Sequence, residues 1–258
     1  MRVVSAILIC LLTLSSCEEV KRQLMTEAIL SQKKKKPPLR NGEKVAYYKG
    51  TKIVRSRVNF VEGSREGKAE DFYKDGQLRL SLNYHNNEKH GESNYYFENG
   101  QLYKQSNYRA GKLDGPFKVY DQKGRLKAEG SYKEDWPCFG LKEYNRKGKE
   151  LKDFPQIKVK YFDYLDTREE YVLQISLDKS RKDVKFYISE HDISDCFAFD
   201  FDKMQMLYAE DGIVNYPFDL PKGMGVSVHV YIYAVYSTSN RVKRVVKKPV
   251  NFEISNPA

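Results

Sequence analysis

Lys74-Asp75-Gly76-Gln77-Leu78-Arg79-Leu80-Ser81-Leu82-Asn83-Tyr84 is answered 24 residues later by Glu98-Asn99-Gly100-Gln101-Leu102-Tyr103-Lys104-Gln105-Ser106-Asn107-Tyr108. The register persists outward. Gly76, Gly100, Gly124 and Gly148 stand 24 apart, as do Phe60, Tyr84, Tyr108 and Tyr132, and as do Phe72, Tyr96, Tyr120 and Tyr144. Gly67, Gly91 and Gly115 add a further column. Several columns held in one period are the signature of a repeat architecture. Within a unit, Leu78, Leu80, Leu82 and Tyr84 alternate with polar residues; Val54, Ser56, Val58 and Phe60 match them one unit earlier, and Leu102, Lys104, Ser106 and Tyr108 one unit later. Alternation with period two marks a half-buried strand. A loop and a returning strand, such as residues 91–97, complete the unit. The Asp-Gly and Asn-Gly pairs supply the positive φ of a tight hairpin. One hairpin cannot bury its apolar face alone, so successive units must lean on each other and build an elongated antiparallel sheet.

Tyr73-x-x-Gly76-x-Leu78, the tyrosine that follows, and Gly111-Lys112-Leu113-Asp114-Gly115 resemble the variant MORN repeat, and specifically the bacterial YwqK family of antitoxins. The resemblance covers roughly residues 46–154. It implies a non-enzymatic scaffold without cofactor, attached to a membrane or to a partner protein.

The first residues read differently. Arg2 precedes an apolar run, residues 3–14, too short to cross a bilayer, and then Leu14-Ser15-Ser16-Cys17. This is the layout of a secretory signal peptide over residues 1–16. Small residues before a cysteine resemble the lipobox of bacterial lipoproteins, which implies lipidation of Cys17 and a lipid-anchored location in the bacterial cell envelope, on the periplasmic face or the outer membrane. Acyl chains contribute about 0.8 kcal/mol per buried methylene, so several hold a protein durably. Residues 17–45 form the tether: a short helix over 18–32, with Val20, Leu24 and Ala28 four apart, then Lys33, Lys34, Lys35 and Lys36 and the stiff pair Pro37-Pro38. The four lysines are candidate contacts for anionic headgroups, against the plainer use of a solvated spacer.

The chain carries 45 Lys+Arg against 35 Asp+Glu, a net charge of +10, which favours acidic partners. Export removes nucleic acid from that set. Beyond Cys10 and Cys17 lie Cys138 and Cys196. An oxidising compartment would let them pair, but they fall in different domains, and two free, mostly buried thiols are the expectation.

The fourth unit departs from the pattern where Lys133-Glu134-Asp135-Trp136-Pro137-Cys138-Phe139-Gly140 replaces Arg109-Ala110-Gly111-Lys112-Leu113-Asp114-Gly115. Trp136, Pro137 and Phe139 are candidate partner-binding residues. The alternative use for Trp136 and Phe139 is to fill a joint with the next domain. From Gln156 onward the period is lost. Alternation in Ile157-Val159-Tyr161, Val172-Gln174-Ser176, Val184-Phe186-Ile188 and Val226-Val228-Val230-Ile232-Ala234 predicts about seven short strands and an immunoglobulin-like β-sandwich over 155–258. Pro249 belongs at an edge or a bulge of the last strand. The fold expected is therefore all-β: a MORN-type hairpin sheet followed by a β-sandwich.

No catalytic constellation emerges. His85, His90, His191 and His229 lack metal-ligand spacing, and Asp195, Asp200 and Asp202 read as a solvated turn rather than a calcium loop. The expectation is a binding protein, an anchored scaffold for an unidentified protein, with antitoxin or immunity factor as its sharpest form. The alternative is a structural or lipid-binding module that packs Lys104, Arg109, Lys112, Lys127 and Lys133 on a membrane.

Overall fold

In the computed structural model, residues 40–181, 183–197, 200 and 202–258 are described. Strands β1 (Gly42–Tyr47), β2 (Val54–Val61), β3 (Ser64–Phe72), β4 (Leu78–His85), β5 (Glu88–Tyr96) and β6 (Leu102–Arg109) pair antiparallel in sequence order. β7 (Lys112–Leu113) and β8 (Gly115–Tyr120) both pair with β6, and β9 (Leu126–Lys133) follows β8. β10 (Trp136–Pro137) and β11 (Lys142–Glu143) both pair with β9 and end the ribbon. The repeated hairpins thus form one continuous sheet, as the columns require.

Two kinds of turn alternate along it. At one end Tyr73 N–H donates to the Gln77 carbonyl (2.8 Å) and Gly76 N–H to the Tyr73 carbonyl (3.1 Å), a three-residue loop closed by Gly76 at φ +89°. A left-handed residue at that position lets the strand resume after a type I turn. At the other end Asn86-Asn87, Ala110-Gly111 and Glu134-Asp135 have positive φ at both positions, the two-residue turn whose twist matches paired strands. These turns also fasten unit to unit. Asn87 N–H donates to the Arg65 carbonyl (3.0 Å), Gly111 N–H to that of Lys89 (2.9 Å) and Asp135 N–H to that of Leu113 (2.8 Å). Asn87 and Asp135 add a side-chain bond, each accepting through Oδ1 from the backbone of Arg65 or Leu113. Short polar side chains tolerate the left-handed region, and here their oxygens are used as well.

The ribbon's apolar face is not uniform. Ala69, Leu80 and Leu82 form one buried cluster with Val58, Tyr84 and Tyr95; Phe117, Val119, Ala128, Tyr132 and Leu141 form another. Between them Ser93 and Ser106 sit opposite each other, in columns held by Ala69 and Phe117 and by Leu82 and Gly130. Gly130 is required there because a Cβ would lie 3.0 Å from the Phe117 ring. Ser93 is 1% exposed and its hydroxyl has no hydrogen-bond partner among the described residues. Lys104 occupies the column of Leu80 and Ala128, and burial pushes its ammonium pKa down. A polar seam therefore divides the ribbon's apolar face.

The remaining strands make a sandwich. β12 (Ile157–Tyr164), β13 (Glu170–Leu177) and β16 (Val214–Asp219) form one sheet in that order, with one helical turn, α1 (Leu165–Arg168), between the first two. β14 (Lys185–Ser189), β15 (Gln205–Leu207), β17 (Gly225–Ser237) and β18 (Lys243–Ser255) form the other, ordered β15-β14-β17-β18. First, second and fifth strands thus face third, fourth, sixth and seventh, an immunoglobulin-like division in which the fourth strand joins the third. Leu173, Ile175, Phe186, Ile232 and Ala234, all with 0% exposure, fill the interior. One expected row is corrected: in β13 the inward residues are Leu173, Ile175 and Leu177, and Val172, Gln174 and Ser176 face outward, because the buried row begins one residue later. Pro249 lies on β18, an edge strand, as its missing N–H demands.

Ser93→Ala removes a buried hydroxyl that no described group satisfies, so it is expected to stabilise the chain by about 1 kcal/mol. Urea denaturation should show the midpoint rising with an unchanged slope; a fall would mean that the hydroxyl is bonded.

Candidate functional site

The fourth unit is built into the sandwich. Its two-residue turn leads into Trp136-Pro137, after which Phe139 N–H donates to the Asp195 carbonyl (3.0 Å) and Phe197 N–H to the Pro137 carbonyl (3.0 Å). Cys138 and Cys196 face each other across this short bridge and are joined by a disulfide. The expectation of two free thiols is thereby corrected: the loop between β14 and β15 reaches the ribbon and brings together residues 58 apart in sequence. Trp136 meets Phe197 edge-on at 5.7 Å, and Phe139 lies 6.4 Å from Tyr233. Both pack on a cluster of Tyr187, Phe197, Met204, Tyr233, Val235 and Val245 on the outer face of the four-stranded sheet. This explains the composition of β17: Ile232, Ala234 and Tyr236 point into the sandwich, while Tyr233 and Val235 point into the joint.

The tip of the β17–β18 hairpin completes the joint from the other side. Glu143 and Arg244 form an ion pair (3.0 Å) with side chains only 9% and 5% exposed. Asn240 Nδ2 donates to Glu143 Oε1 (2.7 Å), Arg244 Nη1 to the Leu141 carbonyl (3.0 Å), and the Arg244 guanidinium lies 4.0 Å over the Phe154 ring. Lys243 N–H donates to the Tyr132 hydroxyl (3.3 Å), and Val242 enters the ribbon's own apolar cluster. The Tyr236 hydroxyl donates to the Pro155 carbonyl (3.0 Å), and burial pushes its pKa up to about 12. Neither Glu143 nor Arg244 stands out in the sequence. The available signal was the period: Glu143 falls 24 residues after the buried Val119, so a carboxylate there must find a buried partner.

The sequence-derived candidates fall in different places. Pro137 is fully buried in the joint, and Trp136 and Phe139 are half-buried there. Cys17, Lys33, Lys34, Lys35, Lys36 and the helix expected over 18–32 lie outside the described residues. Lys104 shares a face with Ser106 and Tyr108, whereas Arg109 points to the opposite face by the pleat of β6. Arg109 pairs with Asp114 (3.5 Å), Lys112 with Glu134 (3.4 Å), and Lys127 donates to the Tyr144 carbonyl (3.3 Å). These cations do not form a single patch. In the acidic turn, Asp200 accepts from Asp202 N–H and pairs with Lys203, contacts that hold its carboxyl below the usual range. Among the described residues no cluster of three His, Cys, Asp or Glu side chains could hold a metal ion.

What the units do share is a cation over a ring. The Arg65 guanidinium lies 5.2 Å over Tyr84, and the Lys89 ammonium 4.9 Å over Tyr108. Arg65 and Lys89 are 24 apart, as are Tyr84 and Tyr108, so this is one contact made twice. Residues 65–86, 89–110 and 113–134 match the family model of the MORN repeat variant. The chain carries three such repeats. Each MORN repeat begins in a returning strand and runs through the three-residue loop to the two-residue turn, so the first two contain the whole ring-and-cation pair. In the third, Leu113 takes the place of the cation, and Tyr132 is buried against the sandwich. The MORN family is a non-catalytic binding-repeat family. Among curated proteins, none matches the chain significantly.

Arg244→Met strands the Glu143 carboxylate in the joint. The expected loss is about 3 kcal/mol, read as a lower urea midpoint, with recovery in Arg244→Met/Glu143→Leu, where neither charge remains. A single variant as stable as the parent would show that water reaches the carboxylate.

Proposed function

We propose that the chain is a non-enzymatic, protein-binding scaffold of the bacterial cell envelope, anchored by lipid on Cys17 and acting as an antitoxin or immunity factor. The observation that carries the reading is the repeated strip of Arg65 over Tyr84 and Lys89 over Tyr108, outside the joint, with Arg65 exposed and Tyr84, Lys89 and Tyr108 half-buried. Tyrosine and arginine are the residue types that dominate binding energy at protein interfaces, since each offers a large contact area with a polar end. The Cys138–Cys196 bond supports an oxidising compartment, in keeping with export. A sheet laid flat on a membrane is supported less well, because Lys104 and Arg109 point to opposite faces of β6.

The test is affinity capture from solubilised membranes with the lipidated chain and with Tyr84→Ala/Tyr108→Ala. One specific protein should be enriched by the parent and recovered about tenfold less by the variant. Equal recovery by both, or no specific protein with either, contradicts the reading. Mass spectrometry of the mature amino terminus should find acyl groups on Cys17; a bare thiol there removes the anchor while leaving the scaffold reading in place.

A further inference from the structure

The outer face of the three-stranded sheet faces away from the sandwich interior and contributes nothing to the joint. Its rows follow from the pairing. Phe162, Val172 and Pro217 lie side by side across β12, β13 and β16. On one flank the row is Lys160, Gln174 and Asn215; on the other it is Tyr164, Glu170 and Asp219. An apolar band is thus bordered on both sides by groups that form hydrogen bonds.

The band lies in a depression of about 480 Å³, within the size range of small-molecule sites. Phe162 and Tyr164 are two residues apart on the edge strand, their rings parallel to within 4° and 6.2 Å between centroids. Arg168, from α1, places its guanidinium 4.0 Å over the Tyr164 ring and pairs with Glu170 at 3.6 Å, so the tyrosine is held in place. Gln174 Nε2 donates to Asn215 Oδ1 (3.2 Å), which orients both amides and leaves Gln174 Oε1 as an acceptor and Asn215 Nδ2 as a donor. Neither of those atoms has another partner among the described residues.

We propose that this face binds a saccharide, specifically a flat oligosaccharide of equatorially linked pyranose rings. In such a ring the C–H bonds cover the two faces and the hydroxyls ring the edge. Laid on Phe162, Val172 and Pro217, it buries a C–H face on the apolar band and turns its hydroxyls to the amides on one side and to Tyr164 and Glu170 on the other. Hydroxyls both donate and accept, so they match an oriented acceptor and donor pair better than a single charge would. A nucleic acid strand fits poorly, because Arg168 is already neutralised by Glu170 and Asp219 stands in the same row. An amphipathic helix also fits poorly, because the apolar band is only one residue deep along each strand.

The experiment is calorimetric titration of the full chain with cellohexaose and with chitohexaose, repeated on Phe162→Leu, Gln174→Ala and the ribbon variant Tyr108→Ala, all checked for unchanged thermal unfolding. Phe162→Leu keeps an apolar side chain of suitable strand propensity while removing the ring. The expected result is saturable binding of at least one probe with a Kd tighter than about 1 mM, weakened about fivefold by Phe162→Leu, weakened also by Gln174→Ala, and unchanged by Tyr108→Ala. Neither probe binding the parent chain overturns the proposal, and so does binding that is indifferent to Phe162→Leu or is lost in Tyr108→Ala.

Discussion

A sheet one layer thick has no interior, and that constraint shapes the whole ribbon. Leu80 and Leu82 are buried only because the residues beside them on β3 and β5, Ala69 and Tyr95 among them, close over them. Each side chain of this kind contributes about 1.5–3 kcal/mol when taken out of water. The contribution exists only if the neighbouring unit is present and in register. Hence the fixed period, the paired turns at either end, and the hydrogen bonds that run from one turn to the next. The same dependence leaves the two ends of the array with an unmet need.

At the carboxyl end the sandwich meets that need. β9 would otherwise be an edge, with Tyr132 and Ala128 facing water on one side. Instead Val242 and Lys243 from the β17–β18 hairpin cover the apolar face, Glu143 and Arg244 pair where the ladder ends, and the Cys138–Cys196 bond ties the last loop down. The sandwich is bound reciprocally. Without Trp136 and Phe139, Tyr233 and Val235 on its outer face would keep only the cover of residues such as Phe197 and Ile193 from the sandwich's own loop. Exposed apolar patches of that kind mark interaction surfaces, and here the partner is the same chain. Outside the joint lie the two surfaces to which we assign binding as proposals, the ring-and-cation strip of the first two matched repeats and the outer face of β12, β13 and β16.

Much of this could be read from the residues. The columns at Gly76 and Tyr84 gave the strands, the turns and the order of pairing, because period and alternation are local properties that each unit states again. The sandwich was legible as strands, yet the inward row of β13 was misread, since Val172 and Leu173 are both apolar and only packing decides which one faces in. The joint was harder. Trp136 and Phe139 were visible as an anomaly, and filling a joint was one of their two expected uses. The pairing of Cys138 with Cys196 depends on a loop between β14 and β15 finding the ribbon, which no spacing in the chain records. Glu143 and Arg244 are 101 residues apart and look like ordinary surface charges. The saccharide face escaped notice because its residues come from three strands and become neighbours only through register.

The central claim is that the last hairpin unit and the sandwich fold as one body. Native-state hydrogen exchange across a denaturant series tests it most directly, since amides that open together report a common free energy. The account predicts that the core amides of β9, β17 and β18 converge on a single opening free energy with the Cys138–Cys196 bond intact. If β9 instead exchanges with β4 and β5 through a lower-energy opening that leaves β17 and β18 protected, the joint is a mere contact between two independent domains and the account fails.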